Sequence, residues 1–186
     1  MTIRKILTEP NKILREKSLR VENVNKDIQQ LMDDMLETLY AAPGIGLAAI
    51  QVGVAKRVIV MDISRSRNDI GRDKKEDKEP KNPMYFVNPE IVWKSEEKFT
   101  YEEGCLSVPN QFAEIDRPKH CHVKHLDYNG HSQEMKVEGL LATCIQHEID
   151  HLEGILFIDY LSKLKKEMIV KKLSKQKKQD VQRIVV

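Results

Sequence analysis

Cysteine is scarce in this 186-residue sequence, which contains three, at positions 105, 121 and 144. An odd number without paired spacing does not form a disulfide framework. Long apolar runs are also lacking. The opening stretch, MTIRKILTEPNKILR, holds none that suits a signal peptide, and no segment approaches the roughly 20 apolar residues of a membrane-spanning helix. The sequence therefore favours a cytoplasmic protein without a membrane partner.

A phosphate-binding loop is excluded as well. The glycines at 44 and 46 are not followed by Lys-Ser or Lys-Thr, and the pattern G-x-G-x-x-G fails at Ala49. These glycines instead allow the backbone to approach a ligand closely. An apolar content of 40% suits a single domain over residues 1–186 with one core.

The spacing of the apolar residues predicts an α+β fold. Asn25 is a candidate N-cap for a helix that runs to about Ala41, and this helix carries a regular apolar stripe: Ile28, Leu31, Met32, Met35, Leu36, Leu39 and Tyr40. Strands are predicted at RVIVMDI, YFVNPEIVWKSE, HCHVKHLD and SQEMKVEG, several of them antiparallel because Asn129-Gly130 predicts a hairpin turn. We expect mostly antiparallel sheets around a central helix that carries HEIDH, with a C-terminal helix after it.

The HEIDH sequence lies in a segment from Gly139 to Leu152 whose apolar spacing is typical of a largely buried helix, with Gly154 near its C-cap. On such a helix His147 and His151 are one turn apart and project from the same face, so both can bind one ion. Glu148 lies beside them, where it can take a proton from a metal-bound water. The pattern predicts a metal site with a general base; two structural histidines are the alternative.

A third protein ligand is needed, because a hydrolytic metal site normally has three and one open position. The extended pattern H-E-x-x-H-x-x-G-x-x-H places Phe157 at the third histidine, and a phenyl ring cannot bind a metal. Glu167 lies in the lysine-rich segment KLKKEMIVKK, where a solvated charged face is the simpler interpretation. Cys105, in a turn or strand-edge setting within YEEGCLSVP, could complete the site or be an inert buried thiol.

Three motifs together carry a resemblance. GIGLAAIQVG (44–53), EGCLSVP (103–109) and QHEIDHLEG (146–154) resemble the signature motifs of the peptide deformylase family, in the same order, and the similarity extends from Ile6 to about Leu164. The resemblance implies metal-dependent removal of the formyl group from the N-terminal formyl-methionine of nascent proteins, with release of formate. It implies the ligands Cys105, His147 and His151. It also implies ferrous iron as the physiological metal; zinc, nickel and cobalt suit the same donors.

The resemblance also implies roles for residues around the metal. Glu148 would move the proton, while the side-chain amide of Gln51 and the backbone N–H of Leu106 would form an oxyanion hole. Taken alone, Gln51 is interpreted as an ordinary polar residue at the start of a strand. The substrate peptide would pair as an added strand with exposed main chain. The residues implied for substrate binding are Ile45, Gly46 and Leu47 along the cleft, and Cys144 and Ile145, with Ile45, near the methionine side chain.

Two further residues are expected to support the ligand loop. We hypothesise that Glu103 and Arg117 form an ion pair, as the matching residues do in the family. Phe112 departs from the arginine that some bacterial members carry there, so polar contacts to the later part of the peptide are expected to differ.

The polar stretch 64–83 contains almost no apolar residues and is expected to be a flexible insertion. The tail, 161–186, is predicted to be a basic helix anchored by Leu161, Leu164, Met168 and Ile169. From Lys163 to Val186 it holds nine basic and two acidic residues. It is therefore interpreted either as a ribosomal RNA contact or as a solvated helix end, and no DNA partner is expected.

A bacterial cytoplasm is the expected location. Two alternatives to a deformylase remain at this point: a zincin-type metalloprotease with Glu167 as third ligand, and a non-catalytic ribosome-binding protein with a structural metal.

Overall fold

The computed structural model describes residues 2–64 and 80–184, with side chains described up to residue 176. Within these residues the helices are α1 (Lys26–Ala41), α2 (Gly139–Leu152) and α3 (Lys163–Ile184). The strands are β1 (Gly46–Ala48), β2 (Val58–Met61), β3 (Met84–Lys94), β4 (Lys98–Cys105), β5 (Val108–Pro118), β6 (His120–Leu126) and β7 (Ser132–Glu138). Short 3-10 turns occur at Lys12–Arg15, Ala49–Val52 and Phe157–Tyr160. The predicted α+β fold with antiparallel sheets and a C-terminal helix is confirmed.

A five-stranded antiparallel sheet, in the order β1-β2-β3-β6-β7, lies between α1 and α2. Side chains alternate between the two faces of a strand, and β2 shows this directly. Val58 and Val60 pack with α1, whereas Ile59 and Met61 pack with α2. Because helices cover both faces, β2 reads as a continuous apolar run and is buried throughout.

Helix α1 begins and ends where the sequence predicts. The Asn25 side chain accepts a hydrogen bond from the N–H of Ile28 at 3.1 Å, which caps the first turn, and the helix ends at Ala41, two residues before Pro43. Of its predicted stripe, Ile28, Leu31, Met32, Met35 and Leu39 are buried, and these pack on the sheet.

Helix α2 has the predicted bounds. Its C-cap is Glu153, and Gly154 follows with a left-handed φ of 75°. A Cβ at Gly154 would lie 2.5 Å from the carbonyl oxygen of Arg15, so glycine is required there for space as well as for conformation. The helix therefore ends against the N-terminal segment.

A second, two-stranded sheet pairs β4 with β5. The sequence did not predict these two strands as a pair, nor did it predict the short strand β1. The structure also corrects the interpretation of Gln51, which lies in the 3-10 turn Ala49–Val52 and not at the start of a strand.

The C-terminal helix is anchored by only some of the predicted residues. Leu173 is buried, and Leu161, Ile169 and Val170 pack around it. Leu164 and Met168 were predicted as anchors and this is wrong, since they are 68% and 64% exposed. Most of the predicted insertion, residues 65–79, lies outside the described residues. No helix among the described residues has both the length and the apolar character needed to cross a membrane.

Candidate metal centre

The three predicted ligands converge. His147 and His151 lie one turn apart on α2 and are buried, and Cys105 ends β4. The ligand atoms of the three side chains all lie within 4.8 Å of one another, and Cys105 Sγ is 3.1 Å from His151 Nε2. This is the one such cluster among the described residues. The alternative ligand Glu167 is exposed on α3 and outside the cluster, so that prediction is wrong.

A local irregularity presents Cys105 to α2. Up to Gly104, β4 pairs regularly with β5, where Gly104 is opposite Phe112. Cys105 is then opposite Val108, so residues 109–111 bulge out of the ladder, with Asn110 at a positive φ of 58°. This bulge and the short turn at residues 106–107, which joins β4 to β5, direct the thiol towards the two histidines.

The donor set fits a divalent metal ion. A thiolate and two imidazoles are ligands for iron, zinc, cobalt or nickel, and three protein donors leave a fourth tetrahedral position open. Cys105 Sγ also lies 3.4 Å from the N–H of Ser107 and 3.6 Å from Gln51 Nε2, so two N–H donors are directed at the sulfur. The site therefore has a donor set that could bind the metal of a hydrolytic centre.

A network behind the ligands fixes their orientation. His147 Nδ1 is 2.7 Å from Glu103 Oε2, so that the other ring nitrogen is directed to the cluster. Arg117 binds both carboxylate oxygens of Glu103, which confirms the hypothesised pair. A further guanidinium nitrogen of Arg117 donates to Asp150 at 2.8 Å, and the hydroxyl of Tyr160 donates to the same carboxylate oxygen at 2.8 Å.

Glu148 is buried next to the ligands. Burial raises the pKa of Glu148 to about 7, although the charge of a bound cation opposes this shift. Its Oε2 has no hydrogen-bond partner among the described residues. A Cβ added at Gly46 would lie 2.5 Å from Glu148 Oε1 and 2.9 Å from Cys144 Sγ. Only glycine therefore allows β1 to lie against this carboxylate.

Gln51 is held next to Cys105. Its Oε1 accepts from the N–H of Ala48 at 2.8 Å, which fixes the amide orientation, and its Nε2 donates to Ser107 Oγ at 3.0 Å. Ser107 is fully buried. Sequence reasoning missed Ser107, Asp150 and Tyr160, although Asp150 lies within HEIDH itself.

The residues implied for substrate binding surround β1, which forms an edge of the five-stranded sheet. Cys144 and Ile145 of α2 lie in the core, and Ile45 packs against the same cluster. Leu47 instead packs on the α1 side of the sheet, so its side chain is not part of that cluster. The Leu106 side chain lies against Gly44, since a Cβ at Gly44 would lie 2.8 Å from the end of that side chain.

Phe157 has a different role from the histidine of the extended pattern. It is buried, and its ring stacks on that of His147 with the centroids 6.3 Å apart. It therefore packs against a predicted ligand, and its ring has no atom that could bind a metal.

Comparison with known proteins identifies the family. A family model described as polypeptide deformylase matches residues 3–167. The chain belongs to the polypeptide deformylase family. The peptide deformylase of Pelagibacter ubique is 64% identical over 95% of this chain and 96% of that protein. That of Phenylobacterium zucineum is 54% identical over 96% of this chain and 99% of that protein.

Solved structures agree. The crystal structure of peptide deformylase from Ehrlichia chaffeensis is 44% identical, covers 95% of this chain and 97% of that one, and gives a TM-score of 0.82. The same enzyme in complex with actinonin gives a TM-score of 0.83 at 44% identity, over 95% of this chain and 98% of that one. The chain is thus a metal-dependent hydrolase that removes the formyl group from nascent formyl-methionyl peptides, as the motifs predict. The protease and non-catalytic alternatives are wrong.

Proposed function

We propose that Cys105, His147 and His151 hold one divalent metal ion, ferrous iron in the cell, and that deformylation takes place beside it within a single catalytic domain. The observation that carries this proposal is the approach of the Cys105 sulfur to both histidines, although 42 residues separate it from the nearer one. When bound, the metal lowers the pKa of a water molecule, so that hydroxide is available near neutral pH.

Glu148 is the proton carrier of this proposal. It accepts the proton of the attacking water and delivers it to the leaving amine. Its buried carboxylate lies between the ligand helix and β1, and Oε2 has no hydrogen-bond partner among the described residues. A base in such a position is free to bind a water or a substrate group.

Gln51 and Leu106 form the proposed oxyanion hole. As the formyl carbonyl becomes tetrahedral, its oxygen gains negative charge that needs N–H donors. The Gln51 amide is held near the ligand sulfur by Ala48 and Ser107, and the backbone N–H of Leu106 follows Cys105 directly. Losing one such donor typically costs about 3 to 4 kcal/mol of transition-state stabilisation.

The substrate peptide pairs with the free edge of β1 in this proposal. Leu47 is opposite Val60 of β2, and Ile45 accepts from Asp62 at 2.8 Å. In an antiparallel ladder the backbone N–H and C=O groups of successive residues point alternately towards and away from the partner strand. Those of Ile45 and Leu47 point towards β2, so the N–H and C=O of Gly46 face the open edge. Ile45, Cys144 and Ile145 then supply the apolar surroundings of the methionine side chain.

Metal analysis alongside a formate-release assay tests the proposal. Anaerobically purified protein should contain about one iron per chain and release formate from formyl-Met-Ala-Ser; chelation should abolish activity and ferrous iron should restore it. Formate release by chain that is free of metal would contradict the proposal.

We also propose that the basic helix α3 contacts ribosomal RNA in the bacterial cytoplasm. Its support is the excess of nine basic over two acidic residues from 163 to 186 and the exposure of the α3 lysines at 165, 171, 172 and 175. Replacing those four lysines with glutamine should weaken salt-dependent ribosome binding without changing formate release. Four exposed lysines elsewhere, at 26, 94, 98 and 136, give a control of equal charge. Equal ribosome binding by the two variants would exclude a specific role for α3.

A further inference from the structure

Asp62 is a fully buried carboxylate directly after β2. Its Oδ2 accepts from the hydroxyl of Tyr40 at 2.7 Å and from the N–H of Asn82 at 3.1 Å. Its Oδ1 accepts from the N–H and the hydroxyl of Ser64 at 3.1 and 2.5 Å. Burial alone raises the pKa of a carboxyl group, but these hydrogen bonds hold the pKa of Asp62 below its ordinary value. An ionised carboxylate is thus fixed by four uncharged donors.

The main chain of Asp62 holds the edge of the substrate cleft. Its N–H donates to the carbonyl of Ile45 at 2.8 Å, one residue beyond the pair formed by Gly46 and Met61. This bond extends the ladder between β1 and β2 to Ile45. The next residue, Gly46, lies against Glu148.

The same residue also holds the chain that leads into β1. Tyr40 is in the last turn of α1, and residues 42–44 connect that helix to Ile45. The Asp62 side chain binds Tyr40 at the start of this connection, and its main chain binds Ile45 at the end. The position of the connection relative to β2 therefore depends on Asp62.

We infer that Asp62 is a positioning residue for the peptide substrate, because it sets the main chain of Ile45 and Gly46 with which the extended peptide pairs. This inference rests on the strand pairing proposed above. The four donors fall into two groups. Tyr40 belongs to α1, whereas Ser64 and Asn82 belong to the polar stretch 64–83 that follows β2, so the two groups can be perturbed separately.

Tyr40→Phe and Ser64→Ala form a matched pair of variants, since each removes one hydroxyl that donates to the same carboxylate. For formyl-Met-Ala-Ser, Tyr40→Phe should raise KM about fivefold, with kcat and metal content unchanged, because a displaced edge weakens pairing in both the ground and transition states. Ser64→Ala should leave KM within about twofold of the wild-type value. Asp62→Asn should raise KM about tenfold, because an amide has one accepting oxygen in place of two and cannot keep all four side-chain hydrogen bonds.

A purely structural role predicts a different result: both hydroxyl variants would lower Tm while KM stayed at the wild-type value, and that result would overturn the inference. If Asp62→Asn does not fold, the hydroxyl pair alone decides.

Amide hydrogen exchange of the metal-free chain separates this inference from the proposed function. Exchange of the Asp62 N–H, which is bonded to Ile45, should be faster in Tyr40→Phe than in Ser64→Ala, whatever the activity of the protein. If the two variants differ in this way but the wild-type chain releases no formate, the proposed function alone is contradicted. Normal formate release, with KM and exchange unchanged in Tyr40→Phe, would contradict the positioning role alone.

Discussion

Helices α2 and α3 are close in sequence but have opposite surroundings. Nine of the 14 residues of α2 are buried, including both histidines and Glu148. Each polar group there needs a partner inside the protein. Gln146 illustrates this, because its amide donates to the carbonyl oxygens of Pro118 at 2.9 Å and Ala142 at 2.8 Å. In α3, by contrast, Leu173 is the one buried residue among the side chains described.

This difference explains what each helix reveals about function. A polar residue in a buried helix is costly unless its hydrogen bonds are satisfied, so the polar residues of α2 point to specific partners and chemistry. A lysine on a solvated helix costs little wherever it stands, so α3 is informative only through its summed charge. Substitutions around α2 should therefore have much larger effects than substitutions on α3.

The largest effect is expected at Cys105. Cys105→Ala should lose the bound metal and reduce formate release by at least about a thousandfold, because the water is no longer activated. Metal content per chain, measured together with kcat/KM, tests this. Cys121→Ala is the matched control, since Cys121 is a buried thiol in β6 that lies outside the cluster. It should keep one metal per chain, and a Cys105→Ala protein that also keeps it would rule out the sulfur as a ligand.

Glu148→Gln should reduce kcat by about 10²- to 10⁴-fold while the metal is retained, because the amide cannot accept the proton. Steady-state kinetics at equal metal content measures this effect. Glu153→Gln is the control, because Glu153 follows the same helix but pairs with Lys17 and Arg57 at the surface. An unchanged kcat in Glu148→Gln would remove this carboxylate from the proton transfer.

The contrast between buried and solvated segments also explains how much the sequence predicts. The bounds of α2 and the start of α1 follow from local patterns: apolar spacing, Asn25 as N-cap and Gly154 after the last turn. The position of Cys105 does not follow from a local pattern, because β4 is largely exposed and lacks a buried apolar stripe. The bulge opposite Cys105 also depends on the pairing of β4 with β5. Only the resemblance of the three motifs identified this cysteine as a ligand.

Supporting residues were harder still to predict. The local sequence around Ser107 does not reveal whether its hydroxyl binds water or a side chain. In the structure the hydroxyl accepts a hydrogen bond from Gln51, which is 56 residues away. For the C-terminal helix, the apolar pattern predicts the residues at 161, 164, 168 and 169 as anchors. Leu161 and Ile169 do pack there, together with Val170 and Leu173, whereas Leu164 and Met168 are exposed. Long-range packing, which a single sequence does not display, decides both cases.

Arg117 should show the next largest effect. Arg117→Met removes the guanidinium between Glu103 and Asp150 and leaves buried carboxylate charge unpaired, which should cost about 3 to 5 kcal/mol of unfolding free energy. Metal affinity should also fall, by about 10- to 100-fold, since Glu103 no longer holds His147 firmly. Urea unfolding and competition with a chelator measure the two effects. Lys119→Met is the control, because Lys119 forms an exposed pair with Glu97, and its loss should leave Tm and metal affinity nearly unchanged.

The smallest effects are expected on α3, where two leucines nine residues apart separate packing from exposure. Leu173→Ala should lower the unfolding free energy by about 2 to 3 kcal/mol, because Leu173 packs with Val108 and Phe157 in the cluster behind Cys105. Leu164→Ala should change it by less than about 0.5 kcal/mol, since that side chain is 68% exposed. Denaturant unfolding of both variants decides the matter. Equal losses of unfolding free energy would mean that both leucines are packed in solution. Helix α3 would then not be a solvated helix, and its contrast with α2 would fail.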